Sequence, residues 1–354
     1  MCAVSLRSLA EKLNLSHATV SAALNGKSCV KASTRAKILA AAETLGYRNN
    51  PLASAMMSQL RRSQGSIFRG TVGLLSMEPA ASTKEWHKLY EQTLIQGATQ
   101  RAEQLGFKLD HIRISSNNLN PQQLAQTIDA RGIRGVLLTD EVATLLTDQF
   151  DWSNFAGILI GGTSRGSHLD VIGPDHQAAM DCAWSHVQNS GYTRPALVLD
   201  ADTSAPEVRS WQAAYYACHP PKTFSTSIQP LVVGRDDRAL CLHWLSEHSV
   251  DVVLADSERV LAWINCPDTP LSEKPGFCAL AQTAPGSGIS GVDLRGHATG
   301  MRGVDLITTK IQRNEIGLPD LPVVTLVPPD WISGDSLRAQ ETLQTSAPRG
   351  RHAA

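Results

Sequence analysis

No apolar run in the 354 residues approaches the roughly 18 to 20 consecutive residues that a membrane-spanning helix needs, so an α-helical membrane protein is not expected. The 7 cysteines, Cys2, Cys29, Cys182, Cys218, Cys241, Cys266 and Cys278, are odd in number and never spaced as Cys-x-x-Cys. That spacing offers neither a disulfide framework nor a structural zinc site. The 11 histidines show no His-Glu-x-x-His or paired-ligand spacing, so no metal is expected. The opening MCAVSLRSLAEKLN lacks a charged segment followed by a continuous apolar stretch, and export is not expected. A reducing cytoplasm is the expected compartment.

Net charge is also nearly absent, at -1, but the balance conceals an asymmetry. Residues 1–62 hold 9 Lys and Arg against 2 acidic residues, a net +7, and the remainder carries -8. A basic module on an acidic body suits a head that meets a polyanion, because Lys and Arg neutralising phosphates supply most sequence-independent DNA affinity. A solvated basic face is the alternative that charge alone leaves open. The length predicts two or three folding units.

Within the basic module, SLRSLAEKLN places Leu6, Leu9, Ala10 and Leu13 on one helical face. Ser16 is positioned to cap a second helix over HATVSAALN. A third helix over 32–45 carries Ile38, Ala41, Ala42 and Leu45 on one face and stops at Gly46. Lys31 precedes this helix, and either Ser33 caps it one turn later or the helix end is frayed. Two short helices around a tight turn, completed by a third, form the helix-turn-helix arrangement, whose second helix enters the major groove.

The run from VSLRSLAEKLNLSHATVSAALNGKSCVKASTRAKILAAAETLGY to NNPLASAM resembles the N-terminal domain of the lactose and galactose repressor family, nearly without gaps. The resemblance implies backbone-contacting and helix-packing roles for Thr19, Ser21 and Asn25, and phosphate contacts from Ser16 and Thr34. It places Val20 and Leu24 in the core, and His17, Ala18 and Ala22 where the family reads base edges. Imidazole can donate or accept in the major groove, whereas alanine offers only apolar contact, as with a thymine methyl. Asn50 and Pro51 open a second short helical stretch, which the resemblance makes a minor-groove hinge with Met56 as the wedge between base pairs. Ala53 allows close approach to the groove floor, and Arg61 and Arg62 reach phosphates.

Residues 63–340 alternate apolar strands with helical segments, as in TVGLLS, KLDHIRI, GVLLT, FAGILIG, PALVLD and DVVLAD. Such alternation predicts parallel sheets flanked by helices, with ligands at the carboxyl ends of strands. This span resembles the two-lobed, periplasmic-binding-protein-like body of the same family. The resemblance implies effector contacts from Arg209, Asp256 and Asp175; an arginine-aspartate pair there would equally serve as a structural ion pair. The family's asparagine beside each aspartate is replaced by His176 and Ala255. Trp86, Tyr90 and Trp211 are candidates for stacking on a ligand ring, and core packing is the alternative role for each of them.

Two catalytic patterns lack their context. Gly162-Thr163-Ser164-Arg165-Gly166 fits Gly-x-Ser-x-Gly but precedes an extended segment instead of a helix. Gly286 to Gly291 fits Gly-x-Gly-x-x-Gly without the strand before it or the helix directly after. The organisation expected is a head at 1–49, a hinge at 50–62, a body at 63–340 for effector binding and dimerisation, and a disordered tail at 341–354. The expected function is a transcriptional regulator, a repressor, acting as a homodimer on a palindromic double-stranded DNA operator. A small-molecule effector, a sugar among the candidates, modulates it without catalysis or cofactor. The alternatives on the same α/β fold are a solute-binding receptor and an enzyme.

Overall fold

The computed structural model describes residues 31–44, 68–78, 85–115, 120–146, 150–162, 167–218, 228–281 and 286–338, with Leu13, Leu15, Ser16, Thr19, Val20 and Ala23. The chain divides into two compact units, between Ile67 and Phe68.

In the first unit, Thr19, Val20 and Ala23 are helical. The Ser16 hydroxyl accepts from the Thr19 amide at 3.1 Å, and the Ser16 carbonyl accepts from the Thr19 and Val20 amides. Ser16 therefore caps this turn as its residue type predicts, satisfying amides that would otherwise lack partners. Helix α1, Ala32–Thr44, begins with the Thr34 and Arg35 amides on the Lys31 carbonyl. This corrects the position expected of Ser33: the helix already includes it, and Lys31 stands at the cap. Val20, Ala23 and Ile38 are buried, as the periodicity requires.

The second unit contains two six-stranded sheets. The first has the order β11-β5-β4-β3-β1-β2, with β1 Gly70–Met77, β2 Phe107–Ile114, β3 Ile133–Leu138, β4 Ala156–Ile160, β5 Asp170–Pro174 and β11 Val324–Val327. Every pairing in it is parallel. Both faces are covered, so its strands are apolar on both sides. Val72, Leu74 and Leu137 pack with Leu94, Ala98, Val304 and Ile307 of helices α2, Glu85–Gln104, and α9, Gly296–Arg313. On the opposite face Leu75, Val136 and Leu138 pack with Ile128 of α3, Pro121–Ala130, and Val142 and Leu146 of α4, Asp140–Leu146.

The second sheet has the order β12-β10-β9-β8-β6-β7, with β6 Pro195–Asp200, β7 Leu231–Val233, β8 Val252–Ala255, β9 Gly276–Ala279, β10 Gly291–Asp293 and β12 Asp330–Ile332. Only β12 runs antiparallel, against β10. Helices α5, His176–Asn189, and α6, Ala205–Ala217, cover one face through Met180, Val187, Trp211 and Tyr215. Helices α7, Arg238–Glu247, and α8, Glu258–Asn265, contribute Leu242, Leu245, Val260 and Ile264 to the other.

The chain passes between these lobes at Asp175, between β10 and α9, and between β11 and β12. The first and third passages are joined by the Asp175 amide donating to the Val327 carbonyl at 3.0 Å. At the second, Arg295 adopts a left-handed backbone, φ 56°, with its amide held by Asp293 at 2.7 Å. Helix α9 then packs on α2 backbone to backbone. A Cβ at Gly300 would lie 2.0 Å from the Leu94 carbonyl oxygen, and one at Gly97 2.0 Å from that of His297. Gly300→Ala is expected to destabilise the second unit by about 1 to 3 kcal/mol through overpacking that no rotamer change relieves. Urea denaturation of the variant checks this through its midpoint, at unchanged slope.

Candidate functional site

In the first unit, Ser16 is exposed, and Thr19 and Thr34 are half-buried. The hydroxyls of Ser16 and Thr19 lie 2.7 Å apart. His17, Ala18, Ser21, Ala22 and Asn25 lie outside the described residues, as do Ala53 and Met56 of the expected hinge.

The cleft of the second unit forms where the lobes face each other at the carboxyl ends of their strands. Asp175, directly after β5, caps α5 by accepting from the Ala178 amide at 3.0 Å. Tyr90 on α2 packs against the cores of both lobes. A Cβ on Gly161, at the end of β4, would be 3.4 Å from its ring. Burial pushes the Tyr90 hydroxyl well above the ordinary phenol range, and the carboxylates of Glu207, Asp293 and Asp140 push it the same way, against the pull of the Thr299 hydroxyl. Tyr90 therefore stays protonated, able to donate. Trp86 lies in the first turn of the same helix, with its side chain outside the description.

Across the cleft, Glu207 on α6 faces His87 of α2 and His176 of α5. His87 Nε2 is 3.9 Å from one carboxylate oxygen, and His176 Nε2 is 3.9 Å from the other. His176 meets Trp211 edge to face with centroids 4.5 Å apart. Arg209, on the same helix, is exposed and makes no ion pair with Asp175 or Asp256. The arginine-aspartate pair left open by the sequence is thus absent among the described residues.

Asp256 follows β8 and is 1% exposed. Its Oδ1 accepts from the Asp200 amide at 2.9 Å, and its Oδ2 accepts from the Thr203 hydroxyl. Asp200, equally buried, accepts from the Asp202 amide and pairs with Arg259 of α8 at 3.1 Å. Next, Ser204 caps α6 by accepting from the Glu207 amide. The buried aspartates therefore fix the turn that launches the helix bearing Glu207, Arg209 and Trp211. Sequence reading did not find Asp200, Thr203, Arg259, Glu207 or His87, although an aspartate closing the apolar run PALVLD was a usable signal.

Other features carry less. Gly162 is followed by β5, a strand where a nucleophile elbow needs a helix, and Gly286 and Gly288 lie in a loop with φ 78° and 72°. Among the described residues no group of three or more His, Cys, Asp or Glu side chains is placed to hold a metal ion. Burial pushes the thiols of Cys218 and Cys241 up to about 12, which keeps them protonated and unreactive. A cavity of about 210 Å³ beside Asp251 and Pro275 lies at the amino ends of β8 and β9, opposite the cleft. No helix among the described residues is long and apolar enough to cross a membrane.

Two α/β lobes joined by three passages define a periplasmic-binding-protein-like body. Residues 5–50 match the family described as bacterial regulatory proteins, lacI family. The regulator reg1 of Streptomyces lividans is 28% identical over 210 residues, 58% of this chain. The match spans 56% of that relative's length. Among solved structures, the lac repressor dimer bound to operator and the anti-inducer ONPF aligns with a TM-score of 0.56 at 16% identity, covering 96% of this chain and 100% of that one. The CelR-cellobiose complex aligns with a TM-score of 0.54 at 16% identity, covering 94% and 99%. These likenesses establish the fold.

Thr203→Val, which keeps the shape and deletes the hydroxyl, is expected to cost about 1 to 3 kcal/mol because it takes a donor from a buried carboxylate. Thr203→Ser should recover most of that loss. Chemical denaturation of both variants provides the check, and equal stability of the valine and serine variants would remove the role given to this bond.

Proposed function

We propose that the protein is a transcriptional regulator, a repressor, that binds a palindromic DNA operator as a homodimer and responds to a small molecule held between its lobes. The observation that carries the reading is the union, in one chain, of a lacI-family segment at 5–50 with a two-lobed body whose cleft gathers polar and aromatic groups from both sides. The division of charge, +7 in residues 1–62 against -8 beyond, supports the first segment as the one that meets DNA. In this reading His17 reads base edges, Ala18 and Ala22 make apolar contacts, and Met56 wedges the minor groove, with residues 50–62 as hinge. The regulator acts in the cytoplasm and performs no catalysis. CelR with cellobiose supports a sugar as the kind of effector to try first.

A mobility-shift assay on genomic fragments, repeated across a salt series, tests DNA binding. Contacts to about 6 to 10 phosphates predict a loss of about 10³ to 10⁵ in affinity between roughly 50 and 200 mM salt. Retention of no fragment, or binding indifferent to salt, would defeat the proposal. Arg209→Ala is expected to abolish the response of the shifted complex to effector while leaving operator binding intact. Loss of operator binding with a normal response would contradict the role given to Arg209.

A further inference from the structure

The cleft holds polar atoms that the fold does not use. Trp211 is fully buried, yet its indole Nε1 has no hydrogen-bond partner among the described residues, and neither has Nε2 of His176, a residue 7% exposed. Buried donors and acceptors of a folded chain are almost always matched, and an exception calls for a partner from outside the chain. The 3.9 Å gap from His176 to the Glu207 carboxylate is too long for a hydrogen bond, and short enough for one added oxygen atom to bridge. His87 closes on the same carboxylate from the opposite lobe at the same distance.

Resting on the reading of this cleft as an effector site, we propose that Trp211, His176 and Glu207 form the subsite that selects the effector, taking a hydroxyl group and turning away phosphates and carboxylates. A hydroxyl accepts from the indole N–H and donates to the Glu207 carboxylate, while His176 takes either role according to its tautomer. An ionised phosphate or carboxylate offers only acceptors, so it opposes Glu207 in both charge and hydrogen bonding. Asp140 and Asp293, whose charges bear on the adjoining Tyr90, add the same sign. Arg209 lies two positions from Trp211, a spacing that does not share a helix face, and is exposed. None of these three side chains is among Arg209, Asp175 and Asp256, the positions that the family resemblance supplied.

The test is a thermal-shift titration of the full-length protein with cellobiose, maltose and glucose, and with the anionic cellobionate and glucose 6-phosphate. Trp211→Phe deletes the N–H but keeps an aromatic ring, and Glu207→Gln removes the charge at nearly constant size. A neutral sugar is expected to raise the melting temperature of the parent protein while the anionic compounds leave it unchanged. Each substitution should weaken the neutral ligand about tenfold. Glu207 is more exposed than Trp211, and Glu207→Gln is nearly isosteric, so it remains informative if Trp211→Phe does not fold. Preference of the parent for an anionic compound, or neutral-sugar affinity unchanged by Glu207→Gln, overturns the subsite and leaves the effector cleft standing. No shift with any of the five compounds overturns the subsite together with the effector reading beneath it.

Discussion

The close crossing of α2 and α9 is the constraint on which the arrangement of the cleft depends. Gly97, Gly296 and Gly300 admit no side chain, because a Cβ at each would lie between 2.0 and 2.5 Å from an atom of the other helix. At Gly97 and Gly300 the contact is therefore backbone on backbone, without compliant side chains between. Further along, Arg101 and Asp305 pin the same pair at 2.6 Å. Since α9 begins immediately after the second passage between lobes, and α2 carries His87 and Tyr90, a change at that passage reaches the cleft through a nearly rigid connection. The left-handed Arg295 at its start costs roughly 1 to 2 kcal/mol relative to ordinary backbone, and its amide bond to Asp293 offsets part of that.

The other lobe builds its half of the cleft from charge instead of close packing. Asp200 and Asp256 end adjacent parallel strands, and burial at 1% exposure would be costly without the amides, hydroxyl and guanidinium around them. A buried ion pair such as Asp200–Arg259 is weak evidence of net stability, because desolvation consumes much of the attraction. Its firm consequence is geometric. The turn from Asp200 to Ser204 has few alternatives, so the first turns of α6 present Glu207 and Trp211 at a fixed place.

Local patterns explain what the sequence made legible. The helix over 32–44 and the strands within TVGLLS, KLDHIRI, GVLLT, FAGILIG, PALVLD and DVVLAD all follow from patterns within a single element. Helix α5 is harder to read, because polar His176 lies on its buried face together with Ala179, Met180, Ala183 and Val187, which interrupts the apolar pattern. Strands β10, with Val292 alone between a glycine and an aspartate, and β12, with Trp331 and Ile332, are too short and hold too few apolar residues to form a legible run. The cleft was harder still. Arg259 meets Asp200 and His87 meets Glu207 through tertiary packing alone, with no motif linking them. Family resemblance pointed to Asp256, whose two oxygens the chain itself engages.

The two constructions together give a ligand leverage on the lobes. His87 and Tyr90 belong to a helix locked to α9, whereas His176, Glu207 and Trp211 belong to helices anchored on the second sheet. A ligand that touches both sets gains the full contact only at one lobe separation, and that difference in affinity is the sole quantity by which it shifts the equilibrium. Each 1.4 kcal/mol of differential contact is worth about a factor of ten in population, so two or three hydrogen bonds made in one arrangement and lost in another suffice for a large response. A ligand confined to one lobe has no such leverage, however tightly it binds. On the proposed reading, the placement of the Trp211 indole N–H and of His176 Nε2 at this junction, beside Glu207 and across from His87, suits the cleft to sensing as well as to binding.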